Sequence, residues 1–180
     1  MIARVCEEVL LSAGLVDEAY RFYGLEAGRT GTYLAWFRAV VRKYPNKKPE
    51  DVLGDLVNHT PGDEGKWFAA AKDAKLYDQA IALANSSPCS PQTLSRAARD
   101  FADKNPAFAV EAGMTALRWL TAGYGYEITG LDVMNAYVQT MKAAENLGRR
   151  DEVLRRIRDL VASDTSPGRF VAGLLGRELG

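Results

Sequence analysis

Prolines in this chain stand where helices are expected to begin. Proline is tolerated in the first turn of a helix because the backbone N–H that it lacks has no partner there. Five of the seven prolines have such a position, namely Pro49, Pro61, Pro91, Pro106 and Pro167. Four of them follow a residue whose side-chain oxygen can cap a helix, namely Thr60, Ser90, Asn105 and Ser166. Thr60-x-x-Asp63 and Thr129-x-x-Asp132 also match the capping box. These starts predict a helical chain.

The apolar residues between these starts recur with the period of a helix. Val153, Ile157 and Leu160 follow one another at intervals of four and three residues, which places them on one helix face. No segment alternates apolar and polar residues for long enough to predict a strand. We therefore expect eleven helices, at residues 2–13, 16–27, 31–44, 49–58, 61–74, 77–86, 91–103, 106–122, 130–147, 150–163 and 167–179.

Three of the connections between these helices share a pattern. They are Gly14 to Tyr20, Lys75 to Ile81 and Gly148 to Leu154. Each ends one helix in a tight turn and begins the next with an acidic residue followed by a small or apolar one. Glycine permits the left-handed backbone that ends many helices, and carboxylates stabilise the positive end of the following helix. Short connections of this kind predict antiparallel neighbouring helices.

At these turns the chain resembles the tetratricopeptide-repeat family, whose hairpins carry the same glycine, acidic pair and alanine. The first copy matches best, and Ala19-x-x-x-Tyr23 continues the family pattern into the second helix. The spacing departs from the family, because positions 19, 80 and 153 are 61 and 73 residues apart rather than multiples of 34. The tryptophan-leucine-glycine motif of the family's first helix is also absent.

The resemblance implies an all-α fold in the form of an αα-superhelix. We expect a right-handed solenoid of about five antiparallel helical hairpins plus a C-terminal capping helix. Residues 1–180 contain no flexible linker, which predicts a single α-helical repeat domain. The chain begins directly with a helix and without the polar cap that ends a solenoid. We therefore expect the C-terminal part of a longer solenoid.

The charge balance gives the whole molecule no general attraction to polyanions. Lys and Arg together number 23, and Asp and Glu together also number 23. A net charge of zero does not favour nucleic acid or an anionic membrane. No stretch approaches the roughly 20 apolar residues of a membrane span. Cys6 and Cys89 are too few for a disulfide framework. These features predict a cytoplasmic protein with reduced thiols and no membrane partner.

Two candidate chemical sites involve the only histidine, His59. A metal site would need Asp63 and Glu64 as further ligands, but both carboxylates already suit the first turn of a helix. A nucleophile would need Cys89 activated by His59, and no motif supports that pair. We therefore expect no catalytic residue, no bound metal and no cofactor.

A run of basic and aromatic residues covers positions 33–48. Helical spacing places Arg38 and Arg42 on one face, Lys43 follows, and Tyr33 lies at the start of the run. Cations interleaved with aromatic rings suit single-stranded nucleic acid, where phosphates and bases are bound together. The same cations could bind an acidic peptide, or they could simply complement the negative end of a helix.

The loop Gly123-Tyr-Gly-Tyr-Glu127 is a second candidate contact surface. Glycines on either side of Tyr124 could expose that ring and the ring of Tyr126 to a ligand or partner. The alternative is that both tyrosines fold back as packing under a long turn.

These observations lead to two expected functions. The first is a non-enzymatic helical-repeat scaffold that binds a protein or peptide in its concave face. The second is a nucleic-acid-associated helical repeat that uses residues 33–48. The partner-binding candidates are Tyr33, Arg38, Arg42, Lys43, Tyr124 and Tyr126.

Overall fold

The computed structural model describes residues 2–162 and 165–180, and the regular structure of these residues is entirely helical. The all-α prediction is confirmed, and the predicted end of the tenth helix at residue 163 lies outside the described residues. The eleven helices are α1 (Ile2–Ser12), α2 (16–27), α3 (Tyr33–Lys43), α4 (Pro49–His59), α5 (64–73), α6 (Tyr77–Ser86), α7 (Pro91–Phe101), α8 (Pro106–Thr121), α9 (Gly130–Asn146), α10 (Arg150–Val161) and α11 (Ser166–Leu179).

Two of these helices are irregular. In α2 a π-helical turn, Tyr20–Gly24, separates the α-helical segments Val16–Ala19 and Leu25–Ala27. Helix α5 opens with a 3₁₀ turn, Glu64–Trp67. The π turn brings Gly24 so close to Tyr44 that a Cβ atom on Gly24 would lie 2.9 Å from the Tyr44 ring. Glycine is therefore required at this point of the bulge.

The cap chemistry confirms three predicted helix starts. The side chains of Ser90 and Asn105 accept hydrogen bonds from backbone N–H groups in the first turns of α7 and α8. Thr129 and Asp132 form the complete capping box at the start of α9.

Two other predicted caps are wrong. Thr60 does not begin a helix at Pro61, because its hydroxyl donates to the Leu56 carbonyl and accepts from the Trp67 indole. Helix α5 begins only at residue 64. At α11 the capping side chain is that of Thr165, one residue before the predicted Ser166.

The chain divides into two compact units, Met1–Ala80 and Ile81–Gly180, called unit 1 and unit 2. In unit 1, α2 lies beside α4 and α3 lies beside α5. The core of unit 1 includes the fully buried Trp67, Phe68 and Tyr44. Trp67 packs against Trp36 with 5.3 Å between ring centroids. The single repeat domain predicted for residues 1–180 stays a prediction.

Unit 2 is organised around α8, ten of whose 16 residues are buried. Helices α7 and α9 pack on α8 and against each other. The close approach of α8 and α9 depends on Gly113, since a Cβ atom there would lie 2.0 Å from Thr140 Oγ1. Helices α7 and α9 run in the same direction. Gln92 bonds Asp132 at their first turns, and Asn146, the last residue of α9, bonds Asp103 just after the end of α7.

The side-chain bridges between neighbouring hairpins have characteristic sequence separations. In unit 1, Tyr20 donates to Asp55 and Arg38 pairs with Asp73, each across 35 residues. In unit 2, Arg156 pairs with Glu111 across 45 residues. The larger separation in unit 2 follows from helix length, because α8 and α9 have 16 and 17 residues whereas α3 and α4 have 11.

Candidate functional site

A polar groove runs between the parallel helices α7 and α9 in unit 2. Its cavity measures about 350 Å³. The side chains that line it are Gln92, Ser95, Arg96, Arg99, Asp132, Asn135 and Gln139. Helical spacing explains this set. Gln92, Arg96 and Arg99 share one side of α7, while the buried Leu94 and Ala98 face the core.

The acidic side chain of the groove is already engaged. Asp132 accepts the backbone N–H of Thr129 at 2.9 Å and the Thr129 hydroxyl at 2.7 Å. Gln92 donates a weaker bond to it at 3.3 Å. These hydrogen bonds, led by the Thr129 backbone N–H, lower the pKa of Asp132. Arg99 is likewise paired, with its neighbour Asp100 at 2.9 Å.

Three groove side chains remain unpaired. Arg96, Asn135 and Gln139 form no side-chain hydrogen bond or ion pair with any residue in the described ranges 2–162 and 165–180. Each amide carries both donors and an acceptor, which match the N–H and C=O groups of a polypeptide backbone. The guanidinium of Arg96 adds one uncompensated positive charge. These side chains give the groove unpaired hydrogen-bond donors and acceptors together with one cationic group.

The pH dependence of the Asp132 cap can be tested by replacing this residue with alanine. The folded-state pKa of Asp132 is lowered from the ordinary value of 3.8. The contribution of Asp132 to folding stability is therefore complete above pH 3.8 and is lost as the pH falls through the folded-state pKa. We expect Asp132→Ala to lower the free energy of unfolding by about 1 kcal/mol at neutral pH. The deficit measured by urea unfolding should shrink as the pH falls below about 4.

A control for this experiment is Asp159→Ala, which removes an exposed carboxylate with no partner among the described residues. It should leave stability nearly unchanged at every pH. An Asp132→Ala deficit that stayed constant into acid would contradict the assigned role of the carboxylate.

Exposed apolar side chains also lie on α9 and α11, outside the lining of the polar groove. Leu131 and Val138 of α9 are 74% and 49% exposed, and Phe170 and Leu174 of α11 are 47% and 36% exposed. Leu174 reaches α9, because a Cβ atom placed on Gly130 would lie 3.3 Å from its side chain. The α9 surface thus offers polar contacts toward α7 and apolar contacts toward α11.

Unit 1 contains a second groove, between α2 and α4, of about 600 Å³. Its lining residues are Asp17, Tyr20, Arg21, Leu25, Lys47, Asp55, Asn58 and His59. Most of its polar groups are paired within the protein. Lys47 bonds Asp17 at 2.9 Å, Tyr20 donates to Asp55 at 2.6 Å, and His59 lies 3.4 Å from Glu26. A ligand would have to displace these pairs, so this groove is a weaker candidate.

The predicted basic run is largely neutralised by acidic partners. Arg38 forms a two-bond ion pair with Asp73, and Lys43 pairs with the buried Glu7. Arg42 and Lys48 have no partner among the described residues. The structure therefore does not assemble Arg38, Arg42 and Lys43 into one free cationic surface.

The aromatic residues of the run are occupied by packing. Tyr33 donates to Asp63 at 2.5 Å and stands edge-on to Trp67, with 4.7 Å between centroids. Tyr44 is completely buried. Stacking on a nucleic-acid base would require a free ring face, and Lys66 lies over the ring of Tyr33 at 5.5 Å.

The loop tyrosines differ from each other in their surroundings. Tyr126 is 82% exposed, whereas Tyr124 is 49% exposed and packs against Trp119, with 5.5 Å between centroids. Gly123 and Gly125 have φ angles of 76° and 133°, a region that favours glycine. Tyr126 is thus available for contact and Tyr124 only in part.

The structure offers no support for a nucleophilic thiol. Cys89 is 4% exposed, and burial raises the pKa of its thiol to about 12, so the thiolate that a nucleophile requires is scarce. In the described residues, no group of three His, Cys, Asp or Glu side chains is placed to hold a metal ion. None of the described helices combines the length and hydropathy needed to cross a membrane.

No protein-family model, curated protein or solved structure matches this chain. The relation to the tetratricopeptide repeats therefore stays a prediction that rests on the turn residues.

Sequence reasoning missed the groove between α7 and α9. The available signal was the polar spacing of Gln92 and Arg96 on α7 and of Asn135 and Gln139 on α9, four residues apart in both cases. That spacing can be recognised in the sequence, but only the tertiary structure shows that the two helices lie side by side.

Proposed function

We propose that this chain is a non-enzymatic helical-repeat scaffold that binds an extended segment of a partner protein along the α7–α9 groove. The observation that carries the proposal is the convergence of three unpaired polar side chains, Arg96, Asn135 and Gln139, on one cavity. An unpaired amide that lines a groove can exchange water for backbone groups of a ligand. The exposed Leu131 and Leu174 would accept an apolar side chain of the same segment.

We further propose that the helices of each unit belong to an αα-superhelix related to the tetratricopeptide repeats. The sequence separations of the bridges support this relation. In unit 1 the bonds from side chain to side chain between neighbouring hairpins span 30 to 37 residues, around the family period of 34. In unit 2 the bridges from α6 to α8 span 30 to 35 residues, and those between later hairpins span 40 to 45. Longer helices account for the increase.

The neutralised basic run favours a peptide ligand over nucleic acid. Counterion release from phosphates requires several free cations on one surface. Of the five cations in residues 33–48, Arg42 and Lys48 are the two without an acidic or aromatic partner among the described residues. We expect single-stranded RNA to bind weakly and without preference for this run.

The proposal can be tested with a random twelve-residue peptide library displayed on phage and selected on the full chain. Peptides enriched on the wild-type protein are synthesised and titrated by fluorescence anisotropy. We expect Asn135→Ala and Gln139→Ala to weaken binding by roughly 3–10-fold each, since a neutral hydrogen bond contributes about 0.5–1.5 kcal/mol. Arg96→Ala should mainly weaken peptides that carry Asp or Glu.

The matched control is Asn58→Ala, which removes an exposed amide from the second groove, on α4 of unit 1. It should leave the affinity unchanged. Enriched peptides that bind the Arg96→Ala, Asn135→Ala, Gln139→Ala triple variant as tightly as the wild type would contradict the proposal. Loss of binding in Asn58→Ala alone would move the site to unit 1.

A further inference from the structure

Two arginines of α7 line the same polar groove. Arg96 and Arg99 are three residues apart, so they are neighbours on the helix surface, with about 5–6 Å between their Cβ atoms. Both contribute to the wall of the cavity of about 350 Å³. Two positive charges at this distance repel each other, and an anion that both of them bind removes the repulsion. The part of the groove that they line is therefore a candidate anion site.

Neither arginine is firmly held by another residue. Arg96 has no side-chain partner among residues 2–162 and 165–180. Arg99 pairs with Asp100 at 2.9 Å, but these two side chains are 58% and 49% exposed, and Asp100 does not line the groove. An exposed ion pair of this kind contributes little to stability. Both guanidinium groups can therefore turn to a ligand without breaking a strong contact.

The carboxylate that lines the groove lies at the end opposite Arg99. Asp132 accepts a bond from Gln92, which precedes Arg99 by seven residues of α7, or about 10 Å along the helix axis. The oxygens of Asp132 are also occupied by the backbone N–H and the hydroxyl of Thr129. Asp132 is thus engaged at the first turns of the two helices, and the later turns of the groove are cationic.

Amide side chains line the same part of the groove from α9. Asn135 and Gln139 follow Asp132 by three and seven residues. Gln92 bonds Asp132 across the groove, and the two helices are parallel. Gln139 therefore lies at about the level of Arg99, since each follows the bonded pair by seven residues. Each amide has two N–H donors and each guanidinium has five. The cationic end thus offers two positive charges and more donors than one carboxylate can accept.

We propose that this cationic end of the groove binds a phosphorylated side chain, phosphoserine or phosphothreonine, of the partner segment. This role rests on the proposed function, because the bound segment carries the phosphate into the groove. A phosphate monoester has a charge of about −1.5 to −2 and three acceptor oxygens, which two guanidinium groups and an amide can share. The single charge of a carboxylate needs only one arginine. Phosphorylation of the partner thus strengthens its binding to this protein.

The test uses three pools of short synthetic peptides that are random except at the central residue, which is phosphoserine, glutamate or serine. Each pool is immobilised, and the amount of the full chain that it retains is measured. Sequences selected from the phosphoserine pool are then made with each of the three central residues and titrated by fluorescence anisotropy. We expect phosphoserine to bind at least about tenfold more tightly than glutamate, since a hydrogen bond to a charged group contributes more than a neutral one. Serine should bind most weakly.

The variant Arg99→Gln separates the two anions. It should weaken the phosphoserine peptide at least about tenfold and the glutamate peptide less than about threefold, whereas Arg96→Gln should weaken both. Both arginines are exposed, so the variants should keep the circular dichroism spectrum of the wild type. Arg155→Gln is the matched control, because it removes an exposed arginine of α10 that does not line the groove. It should change neither affinity.

Failure of the phosphate site can be distinguished from failure of the peptide groove. Serine and phosphoserine peptides that bind equally, and that both weaken in Asn135→Ala and Gln139→Ala, would overturn the phosphate site and leave the peptide groove standing. Retention of the full chain by none of the pools would overturn both. A preference for phosphoserine that survives Arg99→Gln would place the phosphate elsewhere and overturn the inference. So would displacement of the phosphoserine peptide by an equal concentration of single-stranded RNA, since the groove would then bind phosphates of nucleic acid.

Discussion

Replacing Gly113 with alanine is expected to lower the free energy of unfolding of unit 2 by about 3 kcal/mol, the upper part of the range for overpacking a core. A Cβ atom at this position would lie 2.0 Å from Thr140 Oγ1, 2.9 Å from its Cβ and 3.2 Å from its Cα. Thr140 is fully buried and bonds the Ala136 carbonyl at 2.6 Å. The two helices must therefore separate, and the gain in helix propensity of about 1 kcal/mol does not compensate.

Denaturant unfolding, monitored by circular dichroism, gives the size of this effect. Hydrogen exchange of peptides from α8 and α9 gives its location. Gly173→Ala is the matched control, because a Cβ atom on this α11 glycine would meet nothing within 4 Å. It should stabilise the protein by up to about 1 kcal/mol. Adding Thr140→Ala to Gly113→Ala removes the closest contact and should recover part of the loss. A neutral Gly113→Ala would show that α8 and α9 are not in close contact.

Helix positions were predictable because proline and capping chemistry are local. Helices α4, α7 and α8 begin at Pro49, Pro91 and Pro106 as expected. The failure at Thr60 has a local cause, since its hydroxyl donates to the Leu56 carbonyl four residues earlier and accepts from the indole of Trp67 seven residues later. The capping pattern considers only the residue before Pro61 and does not weigh these competing partners.

The candidate site was less predictable for a different reason, which is tertiary. The basic run looked like one surface because the sequence displays Arg38 and Lys43 together, while their partners Asp73 and Glu7 lie 35 and 36 residues away. Conversely, two short polar patterns form the groove, one on α7 and one on α9. Neither pattern indicates a groove when its helix is considered alone. In both cases the property of the surface depends on which helices are neighbours, and apolar periodicity does not encode this.

The buried carboxylate of Glu7 provides the second large expected effect. Glu7 is 0% exposed, accepts a hydrogen bond from the Tyr44 hydroxyl at 2.6 Å and pairs with the ammonium group of Lys43. Tyr44 is itself completely buried, and burial together with the bond to Glu7 raises the pKa of its phenol. The junction between α1 and the end of α3 is thus a polar cluster inside the core.

Removing one polar group of this cluster should lower the free energy of unfolding more than removing all of its polar groups. Lys43→Met leaves the carboxylate buried with only Tyr44 as partner, and we expect a loss of about 3 kcal/mol, the lower end for breaking a buried pair because Lys43 is partly exposed. The triple variant Glu7→Leu, Lys43→Met, Tyr44→Phe leaves no polar group unpaired and should be nearly as stable as the wild type. Lys47→Met serves as control, since its partner Asp17 is 77% exposed and such pairs contribute about 1 kcal/mol or less.

The three variants separate electrostatic pairing from packing. Denaturant unfolding, with hydrogen exchange of α1 peptides, should rank their stabilities as wild type and triple variant together, Lys47→Met slightly below, and Lys43→Met lowest. If the triple variant were as unstable as Lys43→Met, the loss would come from the shape of the side chains and not from the unpaired charge.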